Sequence, residues 1–93
     1  MLAASQYLSG RYEAALTSGR RALAMQSTMF EPWLYIVAAL GQLARHEEAA
    51  AALAELCKHL KNIADVHAFL ERWYRAPACV DHFETGLRKA GMA

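Results

Sequence analysis

The chain has 93 residues, of which 56% are hydrophobic and 20% are charged, and its formal net charge is +1. This apolar content excludes a disordered tail, and the length suits one small domain. The near-neutral charge argues against a nucleic-acid binder, because phosphate contacts need a surplus of Lys and Arg on one face.

We expect a cytoplasmic protein without a transmembrane segment. The longest uncharged run, residues 32–44, is shorter than the roughly 20 residues that a spanning helix needs. Residues 1–10 carry no basic residue ahead of an apolar core and do not resemble a signal peptide. Cys57 and Cys79 stand alone, with no CxxC pair, and we predict reduced and mostly buried thiols.

The first half of the chain predicts three helices, since Ala and Leu dominate and favour helix at most positions. The first covers about residues 2–9 and ends at Gly10, because glycine suits the left-handed residue that closes a helix. The second runs over about residues 11–25, and its apolar positions recur with the spacing of one helix face. Those positions are Tyr12, Ala15, Leu16, Gly19 and Leu23. The third helix follows the capping-box pattern of residues 28–31, with Pro32 in its first turn.

The second half predicts three more helices. The third helix ends at about Leu43, and the next three cover about residues 46–60, 63–74 and 78–90. Asn62 is predicted to end the fourth helix and cap the fifth. The predicted core face of the third helix is Trp33, Ile36, Val37 and Leu40, and that of the fourth is Ala49, Leu53, Leu56, Cys57 and Leu60. The predicted core face of the fifth helix is Val66, Phe69 or Leu70, and Trp73, and that of the sixth is Val80, Phe83 and Leu87. The short turns between the six helices predict antiparallel hairpins.

An internal repeat organises the first two hairpins. Residues 10–16 are echoed by residues 44–50, and the offset of 34 residues is the length of one helix–turn–helix unit in a tetratricopeptide array. Four pairs of residues match at this offset: Arg11 with Arg45, Glu13 with Glu47, Ala15 with Ala49 and, further back, Ala4 with Ala38. We expect Ala15 and Ala49 to lie where the helices of each hairpin come closest, since a larger side chain would separate them.

These residues resemble the tetratricopeptide repeat family. The first unit supplies Leu2, Ala3, Gly10, Tyr12, Ala15 and Ala22, and the second supplies Trp33, Ile36, Val37, Arg45, His46 and Ala49. The resemblance implies an all-α fold of five to six helices in stacked antiparallel hairpins, with units at about 1–28, 29–62 and 63–93. The family pattern is replaced at Ser27, Val37, Leu56 and Phe83. The third unit is therefore expected to be a degenerate capping hairpin.

The ending of the chain carries a second, shorter resemblance. Residues 83–92 are similar to the C-terminal tail of bacterial proteins in which a class III adenylate/guanylate cyclase domain or a winged-helix DNA-binding domain precedes tetratricopeptide repeats. The similarity implies the C-terminal part of a longer cytosolic signalling or regulatory protein. None of the cyclase carboxylates can be matched in this sequence, so no cyclase activity is expected of these residues.

No catalytic site, metal site or cofactor is expected. The potential metal ligands are Cys57, His59, His67, Cys79 and His82. Cys57 and His59, two apart on a helix, point to different sides, and Cys79 with His82 makes only one pair of a tetrahedral set. No local signature supports a Cys–His nucleophile, and no glycine-rich phosphate loop is present. Trp33 and Trp73 have the spacing of core residues rather than of a ligand-stacking pair.

The family resemblance places a partner-binding surface on the concave wall, which the first helix of each unit lines. The residues predicted to bind a partner there are Tyr7, Leu8, Leu34, Gln42, Arg72 and Arg75; their neighbours on the wall are Glu31, Ala38, Gly41, Asp65 and Ala68. The alternative is that these are ordinary solvent-facing residues. Leu34 and Ala38 stand where the carboxylate-clamp subgroup carries Lys and Asn, so the mixed apolar groove favours a helix or an extended peptide.

The resulting hypothesis is a non-catalytic protein–protein interaction module with a protein or peptide partner. The alternative is a homodimerisation module, because the first helix starts partway and leaves the second partly uncovered. A small metal-binding protein or enzyme has the weakest support from the residues.

Overall fold

The computed structural model describes residues 2–25 and 30–93. Within these residues the chain forms six helices and no strand, which confirms the predicted all-α fold. The helices are α1 (Leu2–Leu8), α2 (Tyr12–Met25), α3 (Glu31–Gln42), α4 (His46–Leu56), α5 (Ile63–Glu71) and α6 (Pro77–Lys89).

Left-handed residues end three of the helices. Gly10 has a φ of 81° and Gly91 a φ of 107°, as the sequence predicts for helix-closing glycines. Ala44, which stands 34 residues after Gly10, adopts the same conformation with a φ of 57°. The repeat thus keeps its turn geometry where the glycine is missing, although the left-handed region costs a residue with a Cβ about 1–2 kcal/mol.

The starts of two helices agree with the sequence. Asn62 caps α5 as predicted, because its Oδ1 accepts a hydrogen bond of 2.9 Å from the backbone N–H of Asp65. Pro32 lies in the first turn of α3, where its missing N–H costs nothing. Phe30 stands at the N-cap of α3 without a side-chain cap bond. The predicted capping box also involves Thr28 and Met29, which lie outside the described residues.

Two helices are shorter than the sequence predicts. The helix α4 ends at Leu56 instead of Leu60, since residues 57–59 form a tighter turn. In this turn the backbone N–H groups of Lys58 and His59 donate to carbonyls three residues earlier. The helix α5 ends at Glu71 instead of Tyr74, since the backbone N–H groups of Arg72 and Trp73 bond to carbonyls three residues earlier and form a tighter turn. Trp73 therefore lies beyond the end of the helix whose apolar face it was predicted to share.

Helix α3 forms the centre of the core. It packs against α2, α4 and α6 and also touches α1. Every residue from Leu34 to Gly41 is buried, so this helix has no solvent-facing side over two turns. Ala15 and Ala49 are fully buried, as expected for the small residues of the two hairpins.

The third hairpin closes the fold in a way that the sequence did not predict. Among the described helices, α5 approaches only α6 closely, whereas α6 lies across α3 and α1. The last hairpin therefore covers the first helices of both earlier units instead of extending the array beside the second unit. The result is a nearly isometric body of 28 × 26 × 24 Å.

Most of the predicted core residues are buried, but Tyr12, Leu23, Leu53, Cys57 and Leu60 are only half-buried, and the tryptophans depart from the prediction as well. Val80, Phe83 and Leu87 of α6 are buried as expected. Trp33 is only half-buried, and the prediction that Trp73 is a core residue is wrong, since 66% of its surface is exposed. None of the helices in the described ranges combines the length and the apolar character needed to cross a membrane.

Candidate functional site

The side of α1 and α3 that the resemblance predicts to be a concave binding wall is covered by α6. We use the name A wall for the side of α1 and α3 that faces α6, formed by Tyr7, Ala38, Gly41 and Gln42. Tyr7 lies in the last turn of α1, and the other three lie in the last two turns of α3. The A wall is thus built by the two helices that the repeat places side by side.

Two glycines allow α6 to approach the A wall at backbone distance. A Cβ on Gly86 would collide with the Tyr7 hydroxyl and lie 2.6 Å from the carbonyl oxygen of Ala38. A Cβ on Gly41 would collide with the carbonyl of Gly86 and lie 3.0 Å from the backbone nitrogen of Ala90. Neither glycine has a positive φ, so the requirement is for space and not for backbone freedom.

A chain of hydrogen bonds runs from the A wall to α6. The Tyr7 hydroxyl donates to the backbone carbonyl of His82 and accepts a bond of 3.1 Å from Gln42 Nε2. Lys89 Nζ donates to Gln42 Oε1 at 2.9 Å. Burial raises the pKa of Tyr7 to about 12, so the hydroxyl remains a neutral donor throughout the physiological range.

Aromatic rings fill the space beside the glycines. Phe83 of α6 stacks on Tyr7 with a centroid distance of 4.8 Å and also contacts Tyr35 and Tyr74. The Tyr35 and Tyr74 hydroxyls share a hydrogen bond of 3.2 Å, and burial raises the pKa of Tyr35 far above its ordinary range. The imidazole of His82 packs against Tyr7 at 4.6 Å. The aromatic contacts of these rings stabilise the packing of α6 against α1 and α3.

The six residues predicted to bind a partner are not brought together as one open groove. Tyr7 and Leu34 are fully buried, so the expectation that their side chains face an open surface is corrected here. For Tyr7 the cause is α6, which the repeat pattern gives no reason to place on the wall. Leu8 and Gln42 are half-buried, and Gln42 contacts Tyr7 directly.

The two predicted arginines lie elsewhere. Arg72 follows α5 and Arg75 belongs to the loop before α6, and both are exposed. Neither forms an ion pair with any other residue of the described ranges. They belong to the outer hairpin, which reaches the A wall only through α6.

The sequence pattern does not identify the residues through which α6 packs on the A wall as functional, although a glycine in α6 is a signal for them. Gly86 lies in the middle of the helical pattern, where glycine is unfavourable by about 1 kcal/mol relative to alanine. A glycine in such a place indicates the close approach of another backbone. No comparable signal marks His82, whose backbone carbonyl accepts from Tyr7 and whose Nε2 lies 2.9 Å from the Tyr12 hydroxyl.

A second candidate site is the cleft between α5 and α6, which contains a buried carboxylate. Glu84 is the one buried charged residue of the described chain, and its side chain is 8% exposed. Its Oε2 lies 2.7 Å from Nδ1 of His67, whose Nε2 lies 3.0 Å from Oε1 of Glu71. The imidazole therefore bridges a carboxylate of each helix. The hydrogen bond to Glu84 is the main cause of a raised pKa of His67, and partial burial opposes it.

We expect the pH dependence of the fold to report this bridge. Because the folded pKa of His67 lies above the unfolded value of about 6.5, protonation stabilises the fold. This contribution is complete below about pH 6.5 and is lost as the pH rises through the folded pKa. An NMR titration of the His67 ring should give a raised pKa in the wild type and a lower pKa in Glu84→Gln, in which only Glu71 still pairs with the ring.

The matched control is Glu55→Gln on α4, which should leave the His67 titration unchanged, since Glu55 pairs with Lys58 at 3.0 Å and not with the histidine. An unchanged pKa in Glu84→Gln would show that the bridge does not form in solution.

The potential metal ligands remain dispersed. In the part of the chain that the structure describes, no three His, Cys, Asp or Glu side chains are close enough to hold a metal ion. Cys57 and Cys79 are free and half-buried, so they are more exposed than predicted.

The exposed apolar side chains of α1 and α2 are Leu2 and Met25. They are the residues on which self-association through these helices would depend, and that alternative stays a prediction. The comparisons with known proteins add no family: no protein-family model, no curated protein and no solved structure matches the chain.

Proposed function

We propose that the chain is a non-catalytic interaction module that binds an amphipathic helix of a partner protein on the A wall. The observation that carries the proposal is the position of α6, because this helix already lies on the wall. A surface that seats one helix through a glycine contact, an aromatic stack and a short polar chain has the features of helix-in-groove recognition. The partner helix replaces α6 when it binds.

The arrangement of α5 supports the exchange. Among the described helices α5 packs closely only against α6, so α6 supplies most of the contact between the outer hairpin and α1 to α4. Release of α6 would free the hairpin as one unit while α1 to α4 keep their mutual packing. The A wall then offers the surface around Ala38 and Gly41 to the incoming helix.

The same contacts define the partner. Its helix needs a glycine opposite Gly41, because a Cβ at that point would collide with the wall. It needs an aromatic residue three positions earlier, at the place that Phe83 takes beside Tyr7. The similarity of residues 83–92 to the tails of bacterial regulators makes a larger cytosolic signalling protein the proposed setting.

A peptide of residues 77–92 tests this proposal in the full chain. Gly86→Ala adds a methyl group to α6 that collides with the wall, while the wall itself keeps its native shape. We expect the labelled peptide, which carries the native glycine, to bind this variant at least about tenfold more tightly than the wild type. The reason is that a larger fraction of the variant has an open wall. Fluorescence anisotropy measures the binding.

The matched control is Gly41→Ala, which places the extra methyl group on the wall. It also loosens α6, but its wall rejects the peptide, so no gain in binding is expected. Circular dichroism checks that both variants keep their helices. Equal binding to the two variants, or no gain in Gly86→Ala, would contradict a specific helix site on the A wall.

A further inference from the structure

The cleft between α5 and α6 has the size of a small-molecule site. Its volume is about 530 Å³, within the range of roughly 300–1,000 Å³ found for ligand pockets. Tyr74, Pro77 and Val80 supply an apolar part of its lining. Such a surface accommodates a short hydrocarbon or aromatic body. The cleft lies on the side of α6 that α5 faces, so it is separate from the A wall.

The charged residues of the cleft favour a cation. Glu71, Asp81 and Glu84 line it with three carboxylates, whereas Arg75 is the one permanent cation among its described lining residues. His67, which also lines the cleft, has a raised pKa because of its hydrogen bond to Glu84. The site therefore already stabilises positive charge on one of its own side chains.

Glu84 has an acceptor that the described chain does not use. Its Oε2 is bound by His67, but no hydrogen bond from the residues of the structure reaches Oε1. The nearest cation, Nη2 of Arg88, is 3.7 Å away, which is too long for a hydrogen bond. No fully buried side-chain oxygen in the described part of the chain lacks a hydrogen-bond partner, so Oε1 is the oxygen of Glu84 that stays open to solvent and has no donor from the protein. A cationic N–H donor in the cleft would supply it.

We propose that this cleft binds an organic cation, a primary ammonium or amidinium group carried on a short apolar or aromatic body. The charged group donates to Oε1 of Glu84, with Glu71 and Asp81 as neighbouring carboxylates. The body lies against Tyr74 and Val80. A single metal ion fits this arrangement poorly, since Glu71 and Glu84 hold opposite nitrogens of the same imidazole and do not converge on one point.

His67 makes the binding dependent on pH. Its protonated ring faces Glu71 and Glu84, and Asp81, Arg75 and Arg88 complete the charges around the cleft. At low pH the imidazolium neutralises the carboxylates and competes with the ligand. As the pH rises through the pKa of His67, the ring becomes neutral and the carboxylates need another cation. Binding therefore strengthens as the pH rises.

The test uses the full chain with benzylamine and benzamidine as cationic probes and benzyl alcohol as the uncharged control. NMR shifts of the Val80 methyl groups and the Tyr74 ring report binding. At about pH 8.5 the two cations are expected to bind in the millimolar range or better, and more weakly at about pH 5.5. N-acetyl-lysine amide forms a separate arm: tighter binding of this probe assigns the site to a protein side chain, and tighter binding of benzylamine assigns it to a free amine.

Two variants decide the role of the carboxylates. Glu84→Gln should weaken the binding of benzylamine at least about tenfold, since a hydrogen bond to a charged group is lost. Glu71→Gln, an exposed change that leaves the core intact, should weaken it by a smaller factor and tests the site even if Glu84→Gln fails to fold. Glu55→Gln on α4 should have no effect. The proposal would be overturned if benzyl alcohol bound as tightly as benzylamine, or if no NMR shifts appeared at about pH 8.5. It would also be overturned if Glu71→Gln bound benzylamine as tightly as the wild type while Glu84→Gln either did the same or failed to fold.

Discussion

Replacing Leu34 with alanine is expected to lower the free energy of unfolding by about 2–5 kcal/mol. The side chain is fully buried in α3, the central helix, so its truncation leaves a cavity that the surrounding helices can close only in part. Urea unfolding followed by circular dichroism measures the change. A large loss of unfolding free energy is expected for a core residue, and a small loss for a residue on an open partner-binding surface.

Arg72→Ala is the matched control, because the sequence pattern placed both residues on the same partner-binding wall. Arg72 is exposed and forms no ion pair within the described ranges, so its loss should change the stability by no more than about 0.5 kcal/mol. If the two variants were equally stable, Leu34 would be accessible in solution instead of buried in the core.

The second large effect is expected at Phe83. Its ring stacks on Tyr7 and contacts Tyr35 and Tyr74, so Phe83→Ala removes the contact that joins α6 to both α1 and α3. The expected loss is about 3–5 kcal/mol, a large share of the roughly 5–15 kcal/mol that stabilises a domain of this kind. Urea unfolding measures the loss, and hydrogen exchange should show α6 as the least protected helix of the variant.

Trp73→Ala gives the comparison for Phe83→Ala. Both changes remove an aromatic ring from the last hairpin, but Trp73 is 66% exposed and its nearest ring is Phe69, at 6.5 Å. Its loss should cost about 1 kcal/mol or less. A loss as large as that of Phe83→Ala would mean that the tryptophan is covered in solution, as its spacing in the sequence predicts.

The features that the sequence predicts well are those that depend on neighbouring residues. The offset of 34 residues locates the two similar hairpins, and it also relates Gly10 to Ala44, which share a left-handed turn. The cap at Asn62 needs only a side-chain oxygen three residues ahead of a free N–H. Such features form within one turn of chain, so the residues that determine them are adjacent in the sequence.

The features that the sequence does not predict depend on where a helix ends and what it packs against. Trp73 has the spacing of an apolar face, but spacing does not reveal that α5 stops at Glu71. The seat of α6 depends on contacts between residues 35 to 75 positions apart, such as Tyr7 with Gln42 and with His82. The repeat pattern predicts the A wall and cannot predict that a later helix of the same chain covers it.

One charged residue carried a signal in the sequence that points to the cleft. Glu84 stands beside Phe83 and four residues after Val80, on the helix face that also holds Leu87. A carboxylate among apolar residues with helical spacing predicts a buried charge, and a buried charge needs a partner. The identity of that partner, His67 on another helix, becomes clear only from the packing of α5 against α6.

The order in which the chain is synthesised gives the seat of α6 one more consequence. The A wall is complete once α3 has left the ribosome, but α6 ends about 50 residues later, which corresponds to between about 2 and 10 seconds of translation. During that interval the nascent chain carries an uncovered apolar wall. Under the proposed function, a partner helix that reached the wall before α6 had been made would not have to displace α6.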